Sequence, residues 1–466
     1  MSSRFGVARG LAAINIAVCL AACGAGSPTA PSVGLAPLQS GHPVRRDSST
    51  YITHVVVVIQ ENRSFDDLFA TFSGADGATE GLMETPSGDV KVALKEVNLF
   101  EYCDFAHGYL GFLRNYDGGK MDGFALNGGK CSGDHTEPYQ YVNPAQIAQY
   151  WTLAQQYVLA DHMFQTQGSG SFTAHQDLIR GGTMLNPQQT ISLVDYPTAT
   201  PWGCDAPSGT LTSLLKYADS RLYYRYDGGP FPCLTYSTLR DLLDAKSVSW
   251  KYYSPAVIDG PGALWNAFDA IKAVRYGPEW NENVTQTPTQ IFSDIAGGQL
   301  PAVSWVIPDR ENSDHPGPGS GDTGPSWVAS IVNAIGESQY WPNAAIVILW
   351  DDWGGFYDNV PPPFFDHWGG LGFRVPMIVV SPYARETYPS KPGYIDHTQY
   401  EFASVLKFIE DTFGLGRLGT TDRRAKSIAG SFDFSQAPRA FKSIPLKYSK
   451  SFFLHQRPSH QPVDTQ

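Results

Sequence analysis

The chain is predicted to be an α/β protein built on a mainly parallel sheet covered by helices on both sides. Its apolar runs are continuous rather than alternating. Val55-Val56-Val57-Val58-Ile59, Ala302 to Ile307, Ala345 to Trp350 and Val375 to Val380 all have this form, as strands buried on both faces do. Segments of helical period separate the runs, and strands alternating with helices require crossover connections that cover the sheet. Three runs also stop abruptly in polar groups: Glu61-Asn62-Arg63-Ser64, Asp309 to His315, and Asp351-Asp352. In a parallel sheet those ends share one rim, where the connecting loops leave a crevice for ligands.

With 466 residues the chain has length for one large domain or two ordinary ones. A formal charge of −12 excludes a general electrostatic grip on nucleic acid or an anionic membrane. An anionic substrate would need local help from a metal or from arginines. The 24 Tyr, 11 Trp, 34 Pro and 46 Gly predict long, structured, aromatic-walled loops between the regular elements.

Residues 1–22 read as an export signal. Arg4 and Arg9 precede a short apolar stretch from Leu11 to Leu20, and Leu20-Ala21-Ala22-Cys23 has the form of a bacterial lipobox. The expected product is either a membrane-anchored lipoprotein carrying lipid on Cys23, or a secreted protein with an ordinary signal. Its location would be the periplasm, the outer membrane or the exterior. Residues 23–50 are rich in Pro, Ser, Gly and Ala and read as a flexible linker. The folded domain is expected over 51–445, with a polar tail at 446–466. Cys103, Cys131, Cys204 and Cys233 then remain for an exported chain, so two disulfides are expected, with neighbours paired as Cys103–Cys131 and Cys204–Cys233. No Cys-x-x-Cys spacing suggests zinc.

Taken in order, Tyr51 to Gln60 is the first strand, and Thr71 to Asn143 is a long excursion of the kind that is usually functional. Asn143-Pro144 opens a helix bearing Ile147, Tyr150, Trp151, Ala154, Tyr157 and Val158 at helical spacing. Gly168-Ser169-Gly170-Ser171 leads into a short helical pattern closing on Gly181-Gly182, which sets Ser171 at a helix N-terminus. Unpaired N–H groups there favour a phosphate oxygen or an alkoxide, although simple capping by serine is the alternative. Ser247 to Tyr253 alternates as a strand, Leu264 to Ile271 has a helical period, and a helix is expected from about Pro325 to Glu337. Thr398 and Glu401 form a capping-box pattern before a helix ending at Gly414.

Glu61, Asn62, Asp351 and Asp352 offer only oxygen donors, which suit Ca, Mg or Mn, although Zn also accepts carboxylates. Carboxylates crowded without a cation would repel one another; the alternative is that they cap loops or pair with Arg63 and Arg310. A metal beside a hydroxyl at a helix N-terminus suggests nucleophilic attack on phosphorus, with His107 and His315, if charged, donating to phosphoryl oxygens or to the leaving oxygen.

Glu61-Asn62-Arg63-Ser64-Phe65-Asp66, Lys120-Met121-Asp122-Gly123-Phe124, Ser171 with His175, Asp314-His315-Pro316, Trp350-Asp351-Asp352-Trp353-Gly354-Gly355-Phe356-Tyr357-Asp358 and Asp396-His397-Thr398 together resemble the bacterial phosphoesterase family of phosphatidylcholine-type phospholipases C and acid phosphatases, within the alkaline-phosphatase-like superfamily. The resemblance implies a three-layer α/β/α sandwich and a phosphoseryl intermediate on Ser171. It implies a divalent metal at Glu61, Asn62, Asp351 and Asp352, and phosphate contacts at His107 and His315. Asp122 is a further expected substrate contact, and His175, His397 and Asp309 are expected to support the ligands. Ser169 is the rival nucleophile. Asn359 stands where relatives often carry His, Thr173-Ala174 where Pro-Asn is commoner, and Asp314 where Glu is usual. The function implied is phospholipase C-like hydrolysis of a phospholipid head group, with phosphomonoester hydrolysis as the alternative. A non-catalytic surface lipoprotein that binds carbohydrate or protein through its aromatic loops is the reading of another class.

Overall fold

The computed structural model describes residues 48–100, 103–127, 135–258, 260–317, 321–363, 370–387 and 393–457. The expected signal peptide, Cys23, the linker as far as residue 47, Cys131, and the last nine residues of the tail lie outside the described residues, while Ser48–Thr50, expected in the flexible linker, form a 3-10 turn whose buried Ser48 bonds to Thr412 at 3.0 Å. The core is an eight-stranded sheet whose strands are β1 (His54–Gln60), β2 (Val158–Ala160), β3 (Trp250–Tyr253), β4 (Val284–Thr285), β5 (Val303–Val306), β6 (Ala344–Trp350), β7 (Met377–Val380) and β8 (Tyr394–Asp396). Their order across the sheet is β4-β3-β5-β1-β6-β7-β2-β8. Only β7 runs against its neighbours, β6 and β2; the other pairings are parallel.

Register shows why the central strands are apolar on every residue. Val57 lies beside Trp305 and Val347, and three residues on, Gln60 lies beside Trp350. Side chains alternate along a strand, so Trp305 and Trp350 face opposite sides. Trp305 donates its indole N–H to the Leu178 carbonyl of helix α4 (Ser171–Arg180) at 3.3 Å. On the other side, Trp350 packs edge-on against Tyr150 of helix α3 (Ala148–Gln156), and Gln60 donates to the Tyr150 hydroxyl at 2.9 Å. A sheet covered on both faces must bury β1 and β6, and every residue of the two strands but His54, at the start of β1, is buried. The three-layer arrangement is therefore present.

Several elements differ locally from the sequence expectation. The helix after Asn143 starts only at Ala148, because Asn143 Oδ1 is used closing a turn to the Ala145 N–H at 2.8 Å. The Leu264–Ile271 period is split at Asn266, whose side chain accepts from the N–H groups of Phe268 and Asp269 and starts a new turn. Helix Phe402–Phe413 has its capping box between Glu401 and Ser404 rather than between Thr398 and Glu401, since Tyr400-Glu401 is held in a short strand beside Met163-Phe164. Gly414 does end it, in the left-handed region at φ 59°. The tail carries a helix, Lys450–His455, whose Phe453 is buried against Trp327; an apolar pair inside a polar sequence anchors it.

The long excursion from Thr71 to Asn143 returns to the sheet through a core of its own. Phe112, Phe124, Tyr139, Trp353, Tyr357 and Phe373 pack together there. Cys204 and Cys233 form the expected disulfide, with Cα atoms 4.4 Å apart. Cys103 is disulfide-bonded as well, and its expected partner, Cys131, falls outside the described residues. No helix among the described residues is long and apolar enough to cross a membrane.

Candidate active site

Strands β5, β1 and β6 are adjacent and parallel, so the residues that follow them meet at one rim. Asn62 turns the chain there at φ 57°, a left-handed conformation that asparagine tolerates better than most residues. Its N–H donates to Asp351 Oδ1 at 2.9 Å, tying the end of β1 to the end of β6. Gly354 follows at φ +62°, and a Cβ there would sit 2.2 Å from the Asn62 carbonyl, so this turn accepts only glycine.

Ser171 is the first residue of α4, one place past the N-cap residue Gly170, so its hydroxyl does not serve as the cap. It points at the rim instead, donating to Asp352 Oδ2 at 3.0 Å with Asn62 Oδ1 at 3.5 Å. Ser169 is occupied elsewhere: its hydroxyl accepts from the Asp195 N–H at 2.8 Å and bonds to Thr173. Of the two serines, only Ser171 faces the carboxylates.

Glu61, Asp351 and Asp352 are fully buried together. Asp352 Oδ1 accepts from the Gly354 N–H at 2.7 Å. Burial pushes all three carboxyls well above their ordinary range; repulsion by Asp352 adds for Glu61, by Glu61 for Asp351, and by Asp351 for Asp352. Among the described residues neither arginine nor lysine pairs with them; Arg63 instead pairs with Asp67 at 2.9 Å. Glu61 Oε2 and Asp351 Oδ2 are buried without hydrogen-bond partners among the described residues. His175 Nε2 lies 2.9 Å from Glu61 Oε1 and 3.7 Å from Asp351 Oδ2, so it does stand against the oxygen cluster.

The two other histidines are tied by backbone carbonyls. His107 Nδ1 donates to the Phe105 carbonyl at 2.6 Å, which leaves Nε2 of the neutral ring to accept from Asn62 Nδ2 at 2.9 Å. That bond directs the Asn62 carbonyl oxygen towards Ser171. His315 Nδ1 is likewise held by the Pro316 carbonyl at 2.6 Å, its ring 6.3 Å from that of His107 and stacked on Trp265. Burial, with Arg310 and His107 adding, holds the His315 pKa well below its usual value. That direction favours the neutral ring in the free protein.

Asp122 and His397 have their partners elsewhere. The Asp122 carboxylate is buried near Glu84 and Asp117, with Lys120 Nζ at 4.0 Å, because the Met121 turn (φ 59°) folds it back into the excursion. His397 follows β8 at the edge of the sheet, four strands from β1, where it is exposed and bonded to Asp161 Oδ2 at 2.8 Å. Asp309 precedes the 3-10 turn Arg310–Asn312, its carbonyl accepting from Asn312, and neither hydrogen bond of the Ser171 hydroxyl goes to it. Asn359 accepts from buried Arg374 at 2.6 Å and belongs to the Asp358–Arg374 ion pair below the site.

Asp314 buttresses the rim. Its Oδ2 accepts from the Tyr150 hydroxyl at 2.7 Å and the Trp350 indole at 3.3 Å, and burial raises its pKa to about 6. A carboxyl that holds its proton more tightly folded than unfolded loses stability as pH rises from the unfolded value towards the folded one. With metal saturating the cluster, wild type is expected to lose up to about 3 kcal/mol between pH 4 and 6 from this group. Asp314→Asn is expected to remove that share of the slope in urea titrations.

Residues 52–416 match the Phosphoesterase family. The chain belongs to that family. Its relatives include non-hemolytic phospholipase C of Pseudomonas aeruginosa, 23% identical over 78% of this chain and 54% of that protein. Phospholipase C A of Mycobacterium tuberculosis is 25% identical over 84% of this chain and 79% of the relative. Non-specific phospholipase C1 of Arabidopsis thaliana is 24% identical over 82% and 70%. The chain thus spans about half the length of the Pseudomonas protein. A solved protein of the alkaline phosphatase superfamily from Vibrio parahaemolyticus covers 82% of this chain and 72% of its own length, with 8% identity and a TM-score of 0.37. Within this phosphoesterase, the residue that reading the sequence overlooked is Tyr196. It follows the apolar run Ile191–Val194 and, with Asp195, makes one more polar strand end.

Proposed function

We propose that this phosphoesterase is an exported, metal-dependent hydrolase that cleaves phosphate esters through Ser171, acting in phospholipase C fashion on phospholipid head groups. The observation that carries the reading is the aim of the Ser171 hydroxyl at Asp352 and Asn62, beside buried carboxylates with two orphaned oxygens. Those orphans and the all-oxygen donor set fit a hard divalent cation. Glu61, Asn62, Asp351 and Asp352 would hold it. Bound there, a cation supplies neutralising charge for the phosphoryl group and favours the serine alkoxide.

The remaining chemistry belongs to the chain. Ser171 gives up its proton along the bond to Asp352, and its oxygen attacks phosphorus while the bond to the leaving alcohol breaks. The α4 N-terminus turns unpaired N–H groups towards the negative charge that collects there. In protonated form, His107 and His315 would each donate Nε2–H to a phosphoryl oxygen or to the leaving oxygen, His107 giving up the bond from Asn62 to do so. Water then releases the phosphoryl group from serine. The family relationship supports this reading, and the relatives' names favour the diester. Removal of metal by chelation is expected to abolish hydrolysis of a chromogenic phosphate ester, and re-addition to restore it. Release of phosphocholine rather than inorganic phosphate from phosphatidylcholine would separate the diester activity from a phosphatase. Hydrolysis indifferent to chelation would overturn the proposal.

A further inference from the structure

One polar group beside the serine has no role in the scheme above. The Tyr196 hydroxyl is buried and, among the described residues, has no hydrogen-bond partner. Leaving such a group dry and unpaired costs on the order of 1–3 kcal/mol, and unsatisfied groups retained in a native fold call for an explanation. The position is closely determined. A Cβ on Gly170, the residue before Ser171, would lie 2.2 Å from the Tyr196 hydroxyl oxygen, so the phenol rests on the backbone that presents the nucleophile.

The ring is held by two aromatic neighbours. It stacks on Trp202 with centroids 5.2 Å apart and meets His107 edge-on at 6.1 Å. Asp195, which sets its direction at φ 58°, is itself pinned: its N–H donates to Ser169, and its carboxylate accepts from the Tyr109 N–H and the Tyr224 hydroxyl. Tyr196 also forms the inner wall of a cavity of about 620 Å³ lined by Tyr109, Trp202, Tyr224 and Tyr226. The hydroxyl therefore lies between that cavity and Ser171.

Resting on the proposed phosphoesterase reading, the geometry points to Tyr196 as a substrate-binding residue whose hydroxyl donates a hydrogen bond to a phosphoryl oxygen of the ester held against Ser171. Burial, with the charges of Asp352 and Asp195 adding, raises the phenol's pKa well above its ordinary value, so it stays un-ionised and able to donate. A donor fixed before substrate arrives needs no reorganisation during the reaction.

The test is Tyr196→Phe, which keeps the ring and its stacking and deletes only the hydroxyl. Two measurements on the metal-loaded protein are needed: kcat/KM for a chromogenic phosphate ester, and the affinity for inorganic phosphate by calorimetry. The expected result is a loss of about 10- to 100-fold in kcat/KM and a fall of about 10-fold in phosphate affinity, with the melting temperature unchanged or raised because an unpaired group has gone. A structural hydroxyl would show the reverse, a lower melting temperature with phosphate affinity intact, and that outcome overturns the assignment. So does a variant equal to wild type in both affinity and rate. If wild type binds phosphate through Tyr196 yet hydrolyses no ester, the phosphoesterase reading fails and the anion contact stands.

Discussion

Ser171→Ala is expected to lower kcat/KM for a chromogenic phosphate ester by about 10⁴-fold or more, because removing the nucleophile of a covalent mechanism leaves only binding and electrostatics. Stability should change little. Gly170 rather than the serine is the N-cap, and among the described residues the serine hydroxyl donates to Asp352 at 3.0 Å, with Asn62 at 3.5 Å, so alanine at the first helical position costs one good hydrogen bond, about 1 kcal/mol. Ser169→Ala should behave in the opposite way. Its hydroxyl joins Thr173 to the Asp195 backbone, and its loss is expected to lower the melting temperature while sparing most of the activity. Equal activity in Ser171→Ala and wild type would remove the proposed nucleophile.

Asp351→Asn carries the second large effect, and its sign depends on whether metal is present. In the loaded protein it removes a charged ligand, so metal affinity is expected to fall at least about 100-fold, and activity with it. In the metal-free protein the same change relieves a repulsion. Asp351 Oδ2 is buried without a hydrogen-bond partner among the described residues and is repelled by Glu61. The new amide keeps an oxygen for the Asn62 N–H and turns a donor towards the carboxylates. The chelated variant is expected to be more stable than chelated wild type by about 1–2 kcal/mol near pH 7.

The pH dependence supplies a cross-check. Glu61, Asp351 and Asp352 hold protons more tightly folded than unfolded, so chelated wild type loses stability as pH climbs above the unfolded carboxyl range of about 4. Urea titrations of chelated protein from pH 4 to 8 should show a shallower decline in Asp351→Asn. A variant less stable than wild type in chelator would mean that the carboxylates share a different counter-charge.

What the amino-acid sequence determined by itself is the sheet and its rim. A run such as Ala345-Ile346-Val347-Ile348-Leu349-Trp350 tolerates water on neither face, so it must become a central strand. Asp351-Asp352 then necessarily falls at its end, as Glu61-Asn62 does after β1. Local order was enough because burial acts on each run separately. Only the tertiary structure decided which groups at the rim meet. Ser169 and Ser171 are indistinguishable in a Ser-Gly-Ser stretch until Asp195 and Thr173 engage one and Asp352 faces the other. Asp122 and His397 lie in stretches as suggestive as any, yet one folds into the excursion and the other falls at the edge of the sheet. Tyr196, with no motif around it, arrives beside the nucleophile because Asp195 is pinned by partners up to 86 residues away in the chain. Contacts of that range depend on how loops pack against one another, and no local period or spacing records them.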